Sequence, residues 1–182
     1  LGELMKSGIK AKGQIRVLVV GKDGEIKKYQ RSFWRRLFGL PAKMMFVKNH
    51  NTITVQGEKL LANWMLGVPT KPRITDATGF IQVGTGWTGN SPKQNTRCNT
   101  PFSTMQQIST GFPELTQTEN GVVYKAVFPT GFFNTRTLNE ICLLNGNTEQ
   151  SECLAYAELN PAVPITSYDT LTIEWEIVSE GV

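Results

Sequence analysis

The stretch Thr170–Val178, TLTIEWEIV, decides how this chain is read. Leu171, Ile173, Trp175 and Ile177 alternate with Thr172, Glu174, Glu176 and Val178. A period of two puts each set on its own side of a pleated strand. One side is apolar and the other mostly acidic, the pattern of a half-buried antiparallel strand.

Working outward, the chain from Phe80 onward keeps this character. Phe80–Val83, Val122–Phe128, Asn139–Leu144 and Cys153–Leu159 read as strands, with Thr104–Ser109 and Leu115–Thr118 as weaker candidates. Glu119-Asn120-Gly121 and Asn145-Gly146-Asn147 read as turns, and 84–100 as a long loop rich in Gly, Asn, Thr and Pro. Nearer the start, Gln14–Val20 (QIRVLVV) is a strand rich in β-branched residues. Lys22-Asp23-Gly24-Glu25 is a turn, and Glu25–Gln30 returns as the second strand of a hairpin.

Two segments read as short helices. In Arg31–Leu40 (RSFWRRLFGL), Phe33, Trp34, Leu37 and Phe38 share one face, with Gly39 and Pro41 as the stop. In Thr54–Leu66 the apolar face is Leu60, Leu61, Trp64 and Met65, and Gly67 ends it. Lys43–Lys48 reads as a strand, Asn49–Asn51 as a turn, and Pro69 to Thr78 as a linker. No βαβ alternation is present. The fold class expected is mainly β: an antiparallel β-sandwich or jelly roll with one or two short helices and an N-terminal arm. Residues 1–13 are the arm. Residues 14–182 form a single β-sandwich domain with a basic helical insertion around 31–67.

Composition narrows the functional classes. Four Trp and nine Phe among 182 residues supply a core without metals or disulfides. Residues 1–12 lack the apolar run and cleavage site of a secretory leader. No apolar run approaches the roughly 18–20 residues that span a bilayer. The expectation is a protein that is soluble, or soluble until assembled. Cys98, Cys142 and Cys153 are odd in number and form no CxxC pair, so they read as buried or half-buried thiols in a reducing compartment. Cys142 and Cys153 flank a turn, which leaves a bridge between them open.

The net charge of +4 hides a division. Residues 1–73 hold 15 Lys/Arg against 4 Asp/Glu, whereas residues 74–182 hold 4 against 11. The densest basic stretch, Lys27 to Arg36, is interleaved with Tyr29, Phe33 and Trp34. Such a surface could meet nucleic acid, dock on an acidic protein surface such as the acidic half of a second copy, or simply be solvated. Without a nucleic-acid-reading motif, protein docking is preferred. A basic, aromatic helix could also lie on a membrane, but ten residues are short for that.

Catalytic patterns fare poorly. Gly84-Thr85-Gly86-Trp87-Thr88-Gly89 matches GxGxxG after a strand, but a dinucleotide site needs a helix to open there. The sequence Asn90-Ser91-Pro92 that follows is a loop. His50, the only histidine, lies in a turn-like stretch with no nucleophile elbow or acid to complete a triad. Glu174 and Glu176 share a strand face, which suits a solvated face better than an acid pair. No catalytic, metal or cofactor site is expected, and the chain is read as a non-enzyme.

The order of pieces resembles small structural proteins of tailed-bacteriophage virions: head decoration (cement) proteins and tail or fibre-adaptor proteins. The pieces are QIRVLVVGKDGEI, NHNTITVQGEKLLANWML, IQVGTGWTGNSPKQNT, LNEICLLN, and ITSYDTLTIEWEIV preceded by AYAELNPAVP. The sequence departs from that pattern at Asn95-Thr96, where an Asp-Thr helix start is common. The resemblance spans roughly residues 14–178. It implies a virion protein assembled in the host cytoplasm in many copies, contacting the major capsid protein or other virion proteins. A homo-oligomer, such as a trimer, is expected. The docking candidates are Arg31, Phe33, Trp34, Arg35, Arg36 and Phe38, with Trp87 in the long loop. The alternatives are a tail-tip, collar or fibre-adaptor protein, and a carbohydrate- or cell-surface-binding module using Trp87.

Overall fold

A computed structural model describes residues 10–28, 46–89, 92–102 and 104–180. Its strands are β1 (Lys10–Val20), β2 (Phe46–Ile53), β3 (Phe80–Gly84), β4 (Gln106–Gln107), β5 (Glu114–Leu115), β6 (Gly121–Phe128), β7 (Arg136–Leu144), β8 (Cys153–Ile165) and β9 (Thr170–Glu180). One α-helix, α1 (Val55–Trp64), and a 3₁₀ turn at Pro92–Gln94 complete the described elements. The strands form one antiparallel sheet in the order β4-β3-β7-β8-β2-β1-β9-β6-β5. The sheet curls into a half-barrel. The mainly β, antiparallel expectation is met. The architecture is one continuous curled sheet, where two stacked sheets were expected from the sequence.

β2 explains the curl. Gly13 to Leu18 of β1 pair with Asn51 to Phe46, and then Thr52 and Ile53 pair with Tyr156 and Ala155 of β8. One strand therefore changes neighbours along its length, and the sheet folds inward around it. Alternating side chains fill the concave side. Ile15, Val17 and Val19 of β1 and Leu171, Ile173 and Trp175 of β9 are completely buried there. They join Ile81, Val83, Ile141 and Leu143 from the other half in a single core.

Several boundaries differ from the sequence reading. Asn49-His50-Asn51 is not a turn: its backbone lies within β2, with His50 opposite Gln14. Turn-forming composition yields here to pairing on a neighbouring strand. The turn at Gly24 forms, with φ +77°. The chain then returns beside the end of β1, with Ile26 bridged to Val20 and Lys27 N–H donating to the Val19 carbonyl at 2.9 Å; residues 29–30 of the expected second strand lie outside the described residues. Over most of its length β1 takes β2 and β9 as its partners. Residues 10–13 of the expected arm are strand, paired with Glu180 to Ile177. The rest of that arm and the helix expected at Arg31–Leu40 lie outside the described residues. The linker is hydrogen-bonded to the body: Asn63 Oδ1 accepts from Lys71 N–H at 2.9 Å, and Trp64 Nε1 donates to the Pro72 carbonyl at 3.1 Å. It does not divide the molecule, because the basic strands β1 and β2 lie between the acidic strands β8 and β9.

Helix α1 starts where expected. Thr54 caps it, its hydroxyl accepting from Gly57 N–H at 2.9 Å. Leu60 enters the core, and Leu61 and Trp64 pack against it. The helix stops at Trp64, so Met65, counted from sequence as part of the buried face, is exposed. No helix among the described residues is long and apolar enough to cross a membrane.

Candidate functional site

β7 is buried on both sides, and its register shifts between Leu138 and Glu140. Leu138, Ile141 and Leu143 face the main core, whereas Cys142 and Leu144 face a second, smaller cluster. The irregularity changes the phase of the strand, as a bulge does, and leaves Glu140 fully buried beneath the loop after β3. Its carboxylate is surrounded by donors. Oε1 accepts from the backbone N–H of Gly86 and Thr100, each at 2.8 Å. Oε2 accepts from Asn99 N–H at 2.8 Å and from the Tyr156 hydroxyl. A buried carboxylate is tolerated only with such partners. The Gly-Thr-Gly run thus has a structural use. A Cβ on Gly84 would collide with Glu140 Oε1 and stand 2.6 Å from the Thr100 carbonyl oxygen, and one on Gly86 would stand 2.7 Å from Thr100 Cβ.

The smaller cluster lies beside this cradle. Cys98, Cys142, Leu144, Cys153 and Tyr156 are its buried members, with Trp87 and Met105 packed against them. All three cysteines are free thiols. The bridge left open between Cys142 and Cys153 is not formed, and Cys142 Sγ has Cys98 Sγ 3.7 Å away. Burial opposes ionisation of every thiol here. Cys142 nevertheless receives hydrogen bonds from Cys153 and Cys98, which hold it below the usual thiol range, while burial and this donation push those two up. Burial and the Glu140 carboxylate push the Tyr156 hydroxyl well above its usual range, so it stays a donor. Trp87 is half-buried. Its ring stacks on Tyr156 at 5.6 Å and 22°, and the backbone N–H of Trp87 donates to Asn139 Oδ1 at 3.0 Å.

No protein-family model, curated protein or solved structure matches the chain.

The other sequence candidates divide clearly. Arg31, Phe33, Trp34, Arg35, Arg36 and Phe38 lie outside the described residues. Glu174 and Glu176 face cations: Arg16 reaches them at 4.0 and 3.9 Å, and Lys125 reaches Glu174 at 3.4 Å. That is a cross-strand charge ladder on a half-exposed face, not an acid pair. Among the described residues, no group of three or more His, Cys, Asp or Glu is arranged to hold a metal ion.

One surface went unnoticed in the sequence. Leu61, Ala62 and Met65 of the α1 region, Leu115 of β5, Val122 of β6 and Ile177 of β9 line an apolar cleft of about 580 Å³. Met65 and Leu115 are 78% and 65% exposed, and Leu66 and Val68, just after Met65, are 54% and 84% exposed. The signal was present in the apolar run ending the helix segment, but periodicity assigns such residues to a core. The described chain thus holds a buried polar cradle, a buried thiol cluster and a bare apolar cleft. Of these, the cleft is the one suited to recognising another protein.

Proposed function

We propose that this chain is a structural protein of a tailed-bacteriophage virion, in first place a decoration (cement) protein that stabilises the head by bridging capsid subunits. The observation that carries the reading is the apolar cleft beside α1 with the bare Met65, Leu66, Val68 and Leu115 around it. Exposed apolar side chains of this kind cost free energy in water and release it when a partner covers them. The order of sequence pieces that resembles virion proteins supports the same reading, as does the long antiparallel sheet. In this reading the curled sheet is a variant of the sandwich or jelly-roll architecture, its two halves closing on one core. Each contact would be modest, and repetition over a symmetric shell would multiply it.

Copy number in purified particles from the strain carrying the gene tests the proposal. Quantitative mass analysis should find hundreds of copies per particle. A handful of copies would move the protein to a tail-tip, collar or fibre-adaptor role, and its absence from particles would overturn the virion reading. The surface itself is tested by Met65→Asp with Leu115→Asp. Both side chains are mostly exposed, so the melting temperature should change by no more than about 2 °C. Incorporation into particles should fall at least tenfold.

A further inference from the structure

Outside the surface just assigned, the most specific arrangement of reactive atoms is the thiol cluster. Its three members come from different elements. Cys142 is on the central strand β7, Cys153 opens β8, and Cys98 lies in the segment that covers them. Cys98 is held by the Gln82 side chain, whose Oε1 accepts its N–H at 3.1 Å, and its thiol donates to the Gln82 carbonyl at 3.4 Å.

We propose that Cys98 and Cys142 form an oxidisable pair, which a hydroperoxide converts into a disulfide that fastens the loop after β3 to the central strand. The sulfurs stand 3.7 Å apart, so they must close by less than about 2 Å to reach bonding distance. Cys98 is the partner able to move, because it belongs to no strand. Cys142 and Cys153 both sit on hydrogen-bonded strands, and they are not opposite each other: Cys142 faces Tyr156, and Cys153 faces Leu144. Closing that pair would shift two strands of the sheet. Cys98 is the member of the pair nearer the surface: its neighbours Asn99 and Thr100 are exposed, whereas Cys142 is completely buried.

The chemistry balances with one hydroperoxide per pair. The Cys142 sulfur, the thiol favoured to ionise, attacks a peroxide oxygen and the O–O bond breaks. With hydrogen peroxide the departing hydroxide takes the proton that Cys142 has lost and becomes water, leaving a sulfenic acid. The Cys98 sulfur then attacks the Cys142 sulfur and the S–O bond breaks. The second hydroxide takes the Cys98 proton and leaves as water. The two sulfurs together lose two electrons, and the peroxide gains them.

The test uses the full chain, hydrogen peroxide and intact-mass analysis, followed by peptide mapping. The expected product is lighter by two hydrogen atoms, with Cys98 joined to Cys142. It should melt roughly 5–10 °C higher than the reduced protein, because the bond closes a long loop, and dithiothreitol should reverse both changes. Cys153→Ser should still form the bond, and Cys98→Ser should not. A Cys142–Cys153 bridge would overturn the proposal. So would addition of oxygen to the thiols without a bridge, or an unchanged thiol count under peroxide that oxidises exposed Met65. Mapping of the unsubstituted chain decides the matter even where a serine variant folds poorly.

Discussion

Glu140 is the residue on which the loop side of the molecule turns. Replacing it by alanine would leave the N–H groups of Gly86, Asn99 and Thr100 facing an empty space. Each such orphan costs about 1–3 kcal/mol when buried, and the loop can relax to recover part of it. Glu140→Ala should therefore lose about 3–5 kcal/mol in urea unfolding, and Tyr156→Phe, which removes one donor to a charged acceptor, about 1.5–3 kcal/mol. Equal midpoints for Glu140→Ala and the parent would show that the cradle does not hold the loop. The lone acid in LNEICLLN was visible in the sequence. Its partners were not, because three of the four are backbone groups 40 to 54 residues away, and a backbone donor leaves no mark in residue identity. Asp169 makes a second prediction. Burial opposes its ionisation, but Lys27 Nζ at 2.8 Å, Thr166 N–H at 2.7 Å and the Thr166 hydroxyl at 2.9 Å outweigh it and hold the carboxyl below the usual range. A depressed folded-state value stabilises the fold above the unfolded value of about 4, and that gain is lost as pH falls through the folded value. Asp169→Asn should thus be less stable than the parent at pH 7, and the difference in urea midpoint should shrink at pH 3. A constant difference between the two pH values would refute the ion-pair account.

At the scale of elements, helix α1 is fixed by its first residue as much as by its apolar face. The Thr54 hydroxyl accepts from Gly57 and donates to the Cys153 carbonyl, so one side chain both caps the helix and ties it to β8. Thr54→Ala should cost about 1–2 kcal/mol in thermal or urea unfolding, while Thr54→Ser, which keeps the oxygen, should recover most of it. A serine variant as weak as alanine would mean that the methyl group, not the hydroxyl, supplies the stability. The helix was legible because Leu60, Leu61 and Trp64 repeat at its period, and β9 because Leu171 to Ile177 alternate without a break. The end of the helix was not legible, since periodicity counts Met65 with the core without knowing where the neighbouring strands stop. β2 was misread for a related reason. Asn49-His50-Asn51 has the local chemistry of a turn, and only the presence of β1 alongside makes it a strand. Long-range pairing also takes both edges of β1 from Gly13 to Leu18. β1 and β9 match over eleven positions from Lys10 to Val20, and no local turn signal announces a partner from the far end of the chain.

For the molecule as a whole, the division between basic and acidic parts takes a different meaning once the sheet is assembled. The two parts interleave, and opposite charges meet inside one chain: Arg16 with Glu174 and Glu176, Lys27 with Asp169, and Lys71 with Glu152. Complementary charge therefore acts first within the fold, between strands that must find each other across most of the sequence. The same interleaving makes the start of the chain a structural matter. β1 is flanked on both sides, and its first four residues pair with Ile177 to Glu180, while Gly13 also pairs with Asn51 of β2. A truncation intended to test whether the N-terminal segment contacts a neighbouring subunit must stop before this ladder. Removing residues 1–13 deletes its first four steps, and removing residues 1–9 leaves them intact. At about 0.5–1.5 kcal/mol for each hydrogen bond lost, the longer truncation should fall below the shorter by on the order of 2 kcal/mol, or about 5 °C in melting temperature. On the proposed virion reading, incorporation into particles is then interpretable only for the shorter one. If it melts like the full chain yet decorates poorly, residues 1–9 contact a partner; if both truncations melt alike, the first four pairs of β1 add nothing to the sheet.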